Sequence, residues 1–389
     1  MQNSRVHLIR RSFDRMNGSE TVDGGQLRHE TSDFIQIVLY SLCVLVGLPV
    51  NVSTFVYMVR RYRHAKSFLL LLHINLNISD ILVLGVHVPG LIGWLVTLQW
   101  EAGPIFCKVM RLLDGFVFAI SSNIMVCIAL YRLYALRYPL WVAAVGHSRV
   151  PRMLLVAWLV AGLSVVSQLY VWREVEFSEP QKVTQCVTLW TEKLWTTGQL
   201  SESEKLWMNF YSIENTVILF YVPLSVLVVC YVLILKDIYK TLNTDTDTSS
   251  AMYLSEVSKQ SSGGKAGKST KKELESCVTL TTRTIRGQDK FRRAKVRSLR
   301  ITLMLILTYV VTWLPYNLLA WWMVLNFESY KANLDANYIF TSLVVLNSVI
   351  NPFIYGRRSR SSSRAISSRP PHGQKSFVGC CKDDLDSVT

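Results

Sequence analysis

Oxygen-bearing side chains that can bind a cation lie inside stretches of this sequence that are otherwise apolar. Asp80 is the one carboxylate of its stretch, and hydroxyl and amide groups occur in two others. Hard cations take oxygen ligands, so we predict an allosteric sodium site, with a purely structural hydrogen-bond network between helices as the alternative. No other cofactor is expected. The site residues are Asp80, Ser121, Asn347, Ser348 and Asn351.

A second carboxylate, Asp114, follows Cys107 in another apolar stretch. A carboxylate in a low-dielectric environment can pair with the ammonium group of an amine ligand, or it can form a structural salt bridge with Arg111 or Lys108. Aromatic and amide side chains predicted around Asp114 would suit a short peptide, because peptide amides need many donors and acceptors. The predicted cavity consists of Asp114, His87, Trp94, Phe118, Gln168, Tyr211, Asn215, Tyr316, Asn317, Trp321, Asn337 and Thr341.

The residue sets expected of an enzyme are missing from the sequence. It contains no His-Glu-x-x-His motif, no nucleophile-elbow serine, and no second Asp in the middle of an apolar stretch to pair with Asp80. The segment from Ser262 to Thr270 comes near a phosphate-binding loop, but Ser262 occupies the first glycine position and no strand precedes it. We therefore predict that the protein is not an enzyme.

Seven apolar runs carry these side chains. Of the 389 residues, 50% are hydrophobic and only 18% are charged, which is too apolar for an ordinary soluble enzyme. A helix that crosses a bilayer needs about 20 mostly apolar residues. The sequence thus predicts an all-α membrane protein with a seven-transmembrane helix bundle. The runs are 34–59, 68–96, 104–130, 153–172, 206–235, 301–325 and 337–356.

The formal charge of +15 follows the predicted membrane topology, so no nucleic-acid partner is expected. Every second connection between the apolar runs is basic, and by the positive-inside rule the N-terminus lies outside. The residues of these connections are Arg60, Arg61, Arg63, Lys66, Arg149, Arg152, Arg292, Arg293, Lys295, Arg297, Arg300, Arg357, Arg358, Arg360 and Arg364. Lys268, Lys271, Lys272 and the Arg and Lys residues at 283–300 are expected to face anionic membrane lipid.

One domain with appendages is predicted. Residues 1–33 form an extracellular tail, 34–356 form the seven-transmembrane domain, and 357–389 form a cytoplasmic tail. The polar stretch at about 241–291, rich in Ser, Thr and Lys, is predicted to be a long cytoplasmic loop. Asn17 begins an Asn-Gly-Ser sequon in the outer tail and is predicted to be glycosylated.

The chain has 8 cysteines, too few and too scattered for a disulfide framework or a zinc cluster. Cys107 begins the third predicted helix at its outer end, and Cys186 lies in the outer loop after the fourth. Disulfides persist outside the cell, so we predict a bridge between these two residues. Cys380 and Cys381 are candidate lipidation sites near the inner leaflet.

Anchor residues, at least one in each predicted helix and in order, resemble those of rhodopsin-like G-protein-coupled receptors. They are Asn51, Asp80, Arg132 in Tyr131-Arg132-Leu133, Trp158, Pro223 with Tyr231, Trp313 with Pro315, and Asn351-Pro352-x-x-Tyr355. The resemblance implies a multi-pass plasma-membrane receptor whose sixth helix swings outward to admit a heterotrimeric G-protein. It also implies receptor kinases and arrestin as partners. Activation roles would fall to Tyr131, Arg132, Tyr231, Trp313, Pro315, Asn351, Pro352 and Tyr355.

Shorter segments are similar to gonadotropin-releasing-hormone receptors and to insect adipokinetic-hormone receptors. This narrower resemblance implies an extracellular peptide ligand and coupling to Gq. The segments are Gln99-Trp100-Glu101-Ala102-Gly103, Cys107-Lys108-Val109-Met110, Gln168-Leu169-Tyr170, Thr184-Gln185-Cys186-Val187-Thr188 and Thr312-Trp313-Leu314-Pro315-Tyr316.

The sequence departs from its relatives at several of these positions. Tyr131 replaces the Asp that normally precedes Arg132, so we expect raised basal signalling. Asp114 replaces a Lys of the vertebrate receptors, and Leu91 replaces an Asp. This reversed charge predicts a peptide related to the vertebrate hormone but different from it.

Two other functions remain open. An amine receptor would use Asp114, but Val345 stands where amine receptors usually carry a Tyr, and Asn317 follows Tyr316 in place of a second aromatic residue. A polytopic transporter would show repeated halves or broken, Gly-rich helices. The sequence shows no internal repeat.

Overall fold

The structure is a computed structural model that describes only part of the chain. The predictions for Asn17, Asn337, Cys380 and Cys381, and for the long loop at 241–291, lie outside the described residues. Among the basic connections, those before the sixth helix (except Arg300) and after the seventh also lie outside them. The described residues are 29, 31–177, 182–240, 299–332 and 340–355.

Seven long helices make up most of the described chain, which confirms the predicted all-α bundle. Six helical segments are long and apolar enough to cross a membrane, with mean hydropathy between 1.6 and 2.8, and the last helix is shorter but also apolar. In chain order the helices are α1 (Thr31–Ala65), α2 (Phe68–Thr97), α3 (Gly103–Arg137), α4 (Pro139–Ser164), α5 (Glu202–Lys240), α6 (Leu299–Leu325) and α7 (Phe340–Tyr355). Shorter helices occur at Ser167–Val171, Leu189–Thr197 and Phe327–Ala332.

Helix α5 begins earlier than the apolar run at 206–235 predicted. Its first turn is polar, so hydropathy alone misses it, but Ser201 and Glu204 form a capping box. The Ser201 backbone N–H donates to the Glu204 carboxylate at 2.9 Å. Lys193, from the short helix that precedes α5, also donates to Glu204.

Three of the helices contain a widened π turn that ends two residues before a proline. Proline lacks the N–H that continues the hydrogen-bond ladder, and its ring collides with the carbonyl one turn earlier, so a wider turn relieves the clash. Helix α6 passes through Pro315 without such a turn. The turns are Cys43–Gly47 before Pro49, Val83–His87 before Pro89, and Val217–Tyr221 before Pro223.

A two-stranded antiparallel hairpin, β1 (Trp172–Phe177) and β2 (Val183–Thr188), follows α4 and was not predicted. Glu174 lies opposite Cys186 in its register. Cys186 forms a disulfide with Cys107 at the start of α3, as predicted. The bridge fixes the hairpin to one end of the bundle, which we call the disulfide end.

Helix α3 lies at the centre of the bundle. The indole of Trp158 on α4 donates to Asn75 on α2 at 3.2 Å, and Asn123 on α3 donates to the backbone carbonyl of Ala157 at 3.1 Å. A Cβ placed on Gly115 would lie 2.9 Å from Val165 Cγ1, so the lack of a side chain permits this close packing. These contacts hold α2, α3 and α4 in the positions that build the site.

Candidate functional site

A cavity of about 90 Å³ lies between α3, α5, α6 and α7 toward the disulfide end. The fold brings together seven of the twelve residues predicted to line it. They are Asp114, Phe118, Gln168, Tyr211, Asn215, Tyr316 and Thr341. The sequence analysis did not assign the other lining residues to the cavity, and Arg111, Trp172, Ser212 and Tyr330 are among them.

Asp114 is held by two neighbouring side chains. Arg111 Nη2 lies 2.9 Å from Asp114 Oδ2, and His87 Nδ1 contacts Asp114 Oδ1. His87 is 0% exposed, and Arg111 and Asp114 are each 3% exposed. Isolated charges at such burial are very costly, so Arg111 and Asp114 stabilise each other. The salt bridge to Arg111, one of the sequence alternatives, is therefore present, while His87 hydrogen-bonds to Asp114 and does not line the cavity.

Two indole rings hold the Arg111 guanidinium between them. The guanidinium carbon lies 4.9 Å from the ring centroid of Trp94 and 5.3 Å from that of Trp172, distances typical of cation–π contacts. Trp94 donates to Gln185 at 3.0 Å, and Trp172 donates to Gln168 at 2.9 Å. Trp94, predicted as a ligand contact, therefore supports Arg111 from behind the cavity wall.

An amide and phenol network forms the cavity wall between α5 and the short helix Ser167–Val171. Tyr211 Oη donates to Gln168 Oε1 at 2.5 Å, and Gln168 Nε2 donates to Asn215 Oδ1 at 2.9 Å. Asn215 in turn donates to the backbone carbonyl of Tyr211 at 2.8 Å. The network presents both donors and acceptors to the cavity in fixed positions.

Trp313 forms the floor of the cavity and is 3% exposed. Its ring contacts that of Phe118 edge to face, with centroids 5.5 Å apart. One turn below, Tyr309 Oη donates to the carbonyl of Leu219 at 2.6 Å, within the π turn of α5. The sequence analysis did not identify Tyr309 as a functional residue, although its phenol lies inside the apolar run of α6 and could have indicated one. Trp313 and Tyr309 link the cavity floor to α5.

Two residues predicted to line the cavity point elsewhere. Asn317 is 0% exposed and donates to the carbonyl of Trp313 at 2.8 Å, so its amide is used within α6. Trp321 donates to Tyr221 Oη at 2.9 Å, along the seam between α5 and α6. The spacing of apolar residues could not predict how α6 is rotated about its own axis, because the packing of α6 against α5 sets that rotation.

Asp80 is the centre of a buried polar network between α1, α2 and α7. Its carboxylate accepts hydrogen bonds from the side chains of Asn351, Ser348 and Tyr355, with the Asn351 amide at 3.1 Å and the Tyr355 hydroxyl at 3.3 Å. Asn77 also joins the network and was missed as a functional residue, although it lies three residues before Asp80 on the same helix face. Its amide donates to Asn51 at 2.6 Å and to Tyr355 at 3.0 Å.

Ser121 Oγ, Asn347 Oδ1 and Asn351 Oδ1 are buried and have no hydrogen-bond partner among the described residues, and the same is true of Asn77 Oδ1 within the network. Buried polar groups normally find partners. Hydroxyl and amide oxygens next to a carboxylate are the donors that a hard cation takes. The residues present therefore fit a sodium ion.

A second cavity, of about 170 Å³, lies at the end of the bundle opposite the disulfide. Arg132, Arg61, His73 and Tyr355 are among the residues that line it. It is too small for a helix, whose diameter is about 10 Å with side chains. In this arrangement the described residues therefore leave no room for a helical partner in that cavity.

The remaining predicted activation residues lie near this cavity or in the helices that lead to it. Tyr131 and Tyr231 are half-buried, and neither is among the residues that line the cavity. Nearby, Arg137 binds Asp237 with both oxygens of the carboxylate, at 2.6 and 3.2 Å, which ties α3 to α5. Pro315 lies in α6 and Pro352 in α7, where Pro352 is buried.

Comparisons with known proteins agree with this architecture. The G-protein coupled receptor daf-38 of Caenorhabditis elegans is 26% identical over 84% of this chain and 88% of its own length. The gonadotropin-releasing hormone receptor of Octopus vulgaris is 27% identical over 83% of this chain and 72% of its own. The human gonadotropin-releasing hormone receptor is 25% identical over 74% of this chain and 75% of its own.

The family model for the 7 transmembrane receptor (rhodopsin family) matches residues 36–355. That span begins in α1 and ends at Tyr355, the last residue of α7. It includes the cavity, the Asp80 network and the disulfide. The chain therefore belongs to the rhodopsin family of seven-transmembrane receptors, which are multi-pass membrane proteins and not enzymes.

Proposed function

We propose that this receptor detects an extracellular peptide of the gonadotropin-releasing-hormone or adipokinetic-hormone type and signals through a heterotrimeric G-protein of the Gq class. In this proposal the disulfide end faces outward and the plasma membrane is the site of action. The cavity lined by Gln168, Tyr211 and Asn215 carries the argument, because amide and phenol groups match the donors and acceptors of a peptide backbone. Relatives named as gonadotropin-releasing hormone receptors support the same class of ligand.

The state of Asp114 argues against a monoamine ligand. An ammonium group would need this carboxylate as its counterion, but Arg111 and His87 already contact it. The ammonium would have to displace a buried guanidinium, which would then lack its own counterion. The buried salt bridge between Arg111 and Asp114 therefore disfavours the amine alternative.

Signalling would be a shift between two arrangements of the bundle. In the arrangement described here, the cavity at the opposite end is too small for a helix. A peptide that binds more tightly to a bundle opened at that end would increase its population. Trp313 lies between the ligand cavity and the Tyr309 contact with α5, so it is well placed to couple the two ends.

The proposal can be tested by expressing the receptor and screening gonadotropin-releasing-hormone-like and adipokinetic-hormone-like peptides beside monoamines, with calcium and cAMP as readouts. We expect a calcium response to at least one peptide. An Arg132→Ala variant at equal surface expression should give none, which controls for responses of the host cell. A robust monoamine response that is lost in Asp114→Asn would contradict the peptide proposal. A solute flux with no response to any ligand would contradict signalling itself.

We also propose that sodium binds at Asp80, Ser121, Asn347, Ser348 and Asn351 and stabilises the closed bundle. The ion would supply positive charge to the Asp80 carboxylate. At constant ionic strength, added sodium should lower ligand-independent signalling by about fivefold or more, and Asp80→Asn should abolish this effect. Ser79→Ala is the matched control, since the Ser79 hydroxyl donates to the Leu76 carbonyl. An unchanged sodium response in Asp80→Asn would contradict the site.

Tyr131→Asp should lower ligand-independent signalling. The substitution places a carboxylate directly before Arg132, where the attraction would favour the present position of the guanidinium. At a half-buried site such a pair is worth about 1 kcal/mol or less, so the expected decrease is at most about fivefold. Basal inositol phosphate production at equal surface expression measures it. Tyr131→Asn removes the phenol without adding charge, and an equal decrease in both variants would refute the electrostatic explanation.

A further inference from the structure

We propose that Arg111 anchors the ligand, and that the group it binds is an uncharged oxygen acceptor, such as the amide carbonyl at a blocked end of a peptide. This inference rests on the proposed function of the cavity as a peptide site. It adds the chemistry of the ligand group that contacts Arg111.

The first observation is that Arg111 has donors to spare. Its Nε and Nη1 atoms are buried and have no hydrogen-bond partner among the described residues, while Nη2 lies against Asp114. The residue is 3% exposed and lines the cavity. A buried donor left without a partner destabilises the structure, because it has lost its hydrogen bonds to water. A ligand oxygen that accepts from Nε or Nη1 would remove part of this destabilisation.

The charges around Arg111 favour a neutral acceptor. Asp114 balances the guanidinium at 2.9 Å, so the pair has no net charge to offer to a charged ligand group. An ammonium has no lone pair to accept from Arg111. A carboxylate would accept, but it would lie close to the buried carboxylate of Asp114 and be repelled by it. An amide carbonyl accepts hydrogen bonds and brings no charge.

Two further buried polar atoms of the cavity lining have no hydrogen-bond partner among the described residues. They are Ser212 Oγ on α5 and Asp114 Oδ2, and the latter is already paired with the Arg111 guanidinium at 2.9 Å. Gln168 and Asn215, by contrast, already hydrogen-bond each other. The unsatisfied atoms of the lining therefore include two guanidinium nitrogens and a hydroxyl, all of which can donate.

The guanidinium is also held in place before any ligand arrives. Trp94 and Trp172 contact it, and both indoles are fixed by hydrogen bonds to Gln185 and Gln168. A planar donor fork held in this way loses little freedom when it binds. Arg111→Lys would keep the positive charge but remove the planar pair of N–H donors.

The test uses two variants of the full-length receptor. Arg111→Lys keeps the positive charge, and the double variant Arg111→Gln with Asp114→Asn removes both charges together, so that no unpaired carboxylate remains buried. Arg173→Gln is the control, because Arg173 pairs with Glu192 at the surface and does not line the cavity. Surface expression is measured for every variant.

The probe is the synthetic gonadotropin-releasing-hormone-like or adipokinetic-hormone-like peptide that activates the unmodified receptor most strongly in the screen. It is made in three forms: blocked at both ends, with a free N-terminal ammonium, and with a free C-terminal carboxylate. We expect the blocked form to be the most potent and one unblocked form to be about tenfold to hundredfold weaker, the range of a hydrogen bond to a charged group. In Arg111→Lys and in the double variant, the blocked form should lose a similar factor, and its advantage over the weaker form should disappear.

The inference is overturned if both Arg111 variants respond to the blocked peptide within about threefold of the unmodified receptor. It is also overturned if the blocked form keeps its advantage in the double variant, or if the ammonium form is the most potent. If no form of any peptide activates the unmodified receptor, the proposed function fails first, and the assignment of Arg111 fails with it.

Discussion

Replacing Cys107 by Ser is expected to reduce the amount of ligand-competent receptor at the cell surface at least tenfold. The disulfide joins Cys107 to Cys186 across a sequence separation of 79 residues, and loss of a bridge that closes a loop of this length costs about 4 kcal/mol. The loss also has a local consequence. The bridge holds β2, and through it β1 with Trp172, against the end of α3 that carries Arg111. Without it, one wall of the cavity is no longer fixed.

Surface staining and binding of an activating peptide measure this effect. Cys43→Ser is the matched control, since Cys43 is buried but forms no disulfide. The double variant Cys107→Ser with Cys186→Ser should be no worse than either single variant, because the same bond is lost. A Cys107→Ser receptor that behaves like Cys43→Ser would show that the bridge does not stabilise the cavity.

Asn77→Leu is expected to raise ligand-independent signalling about tenfold. The Asn77 amide donates to Asn51 and to Tyr355, and Tyr355 also contacts Asp80. Two lost hydrogen bonds are worth about 1–3 kcal/mol. They belong to the arrangement in which the bundle is closed to a helical partner, so their loss favours opening.

Basal inositol phosphate production at equal surface expression measures the increase. Asn75→Leu, on the same helix, is the control, since the Asn75 side chain contacts Leu71 and Trp158 and not α7. Adding Tyr355→Phe to Asn77→Leu should raise signalling little further, because the bond between the two side chains is already absent. If Asn75→Leu raises signalling as much as Asn77→Leu does, the effect is general destabilisation.

The bundle and its disulfide could be predicted because bilayer physics constrains them strongly. A membrane span needs about 20 apolar residues, so the seven runs identified the helices to within a few residues at most ends. Cys107 and Cys186 followed from the predicted topology. The hairpin and the early start of α5 were missed, because the strands are short and the first turn of α5 is polar.

The site was less predictable than the fold. Asp114 was singled out correctly as a carboxylate in an apolar helix, but its environment was left open among a ligand ammonium, Arg111 and Lys108. The structure adds His87 from α2, a contact between helices that spacing along one helix cannot show. Trp321 and Asn317 were predicted to line the cavity around Asp114, yet neither lines it. The rotation of each helix depends on its packing.

The π turns have a consequence for comparing this receptor with others by residue position. A π turn accommodates one more residue than an α turn, and each residue of a helix advances the side chain by about 100°. If a relative lacks the turn at Val83–His87, an ungapped alignment shifts every later position of α2 onto a neighbouring face. A substitution chosen from that alignment in order to alter Trp94 would then change a different side chain, one that points toward lipid or another helix. Alignments of α1, α2 and α5 therefore need a structural check on the far side of each turn.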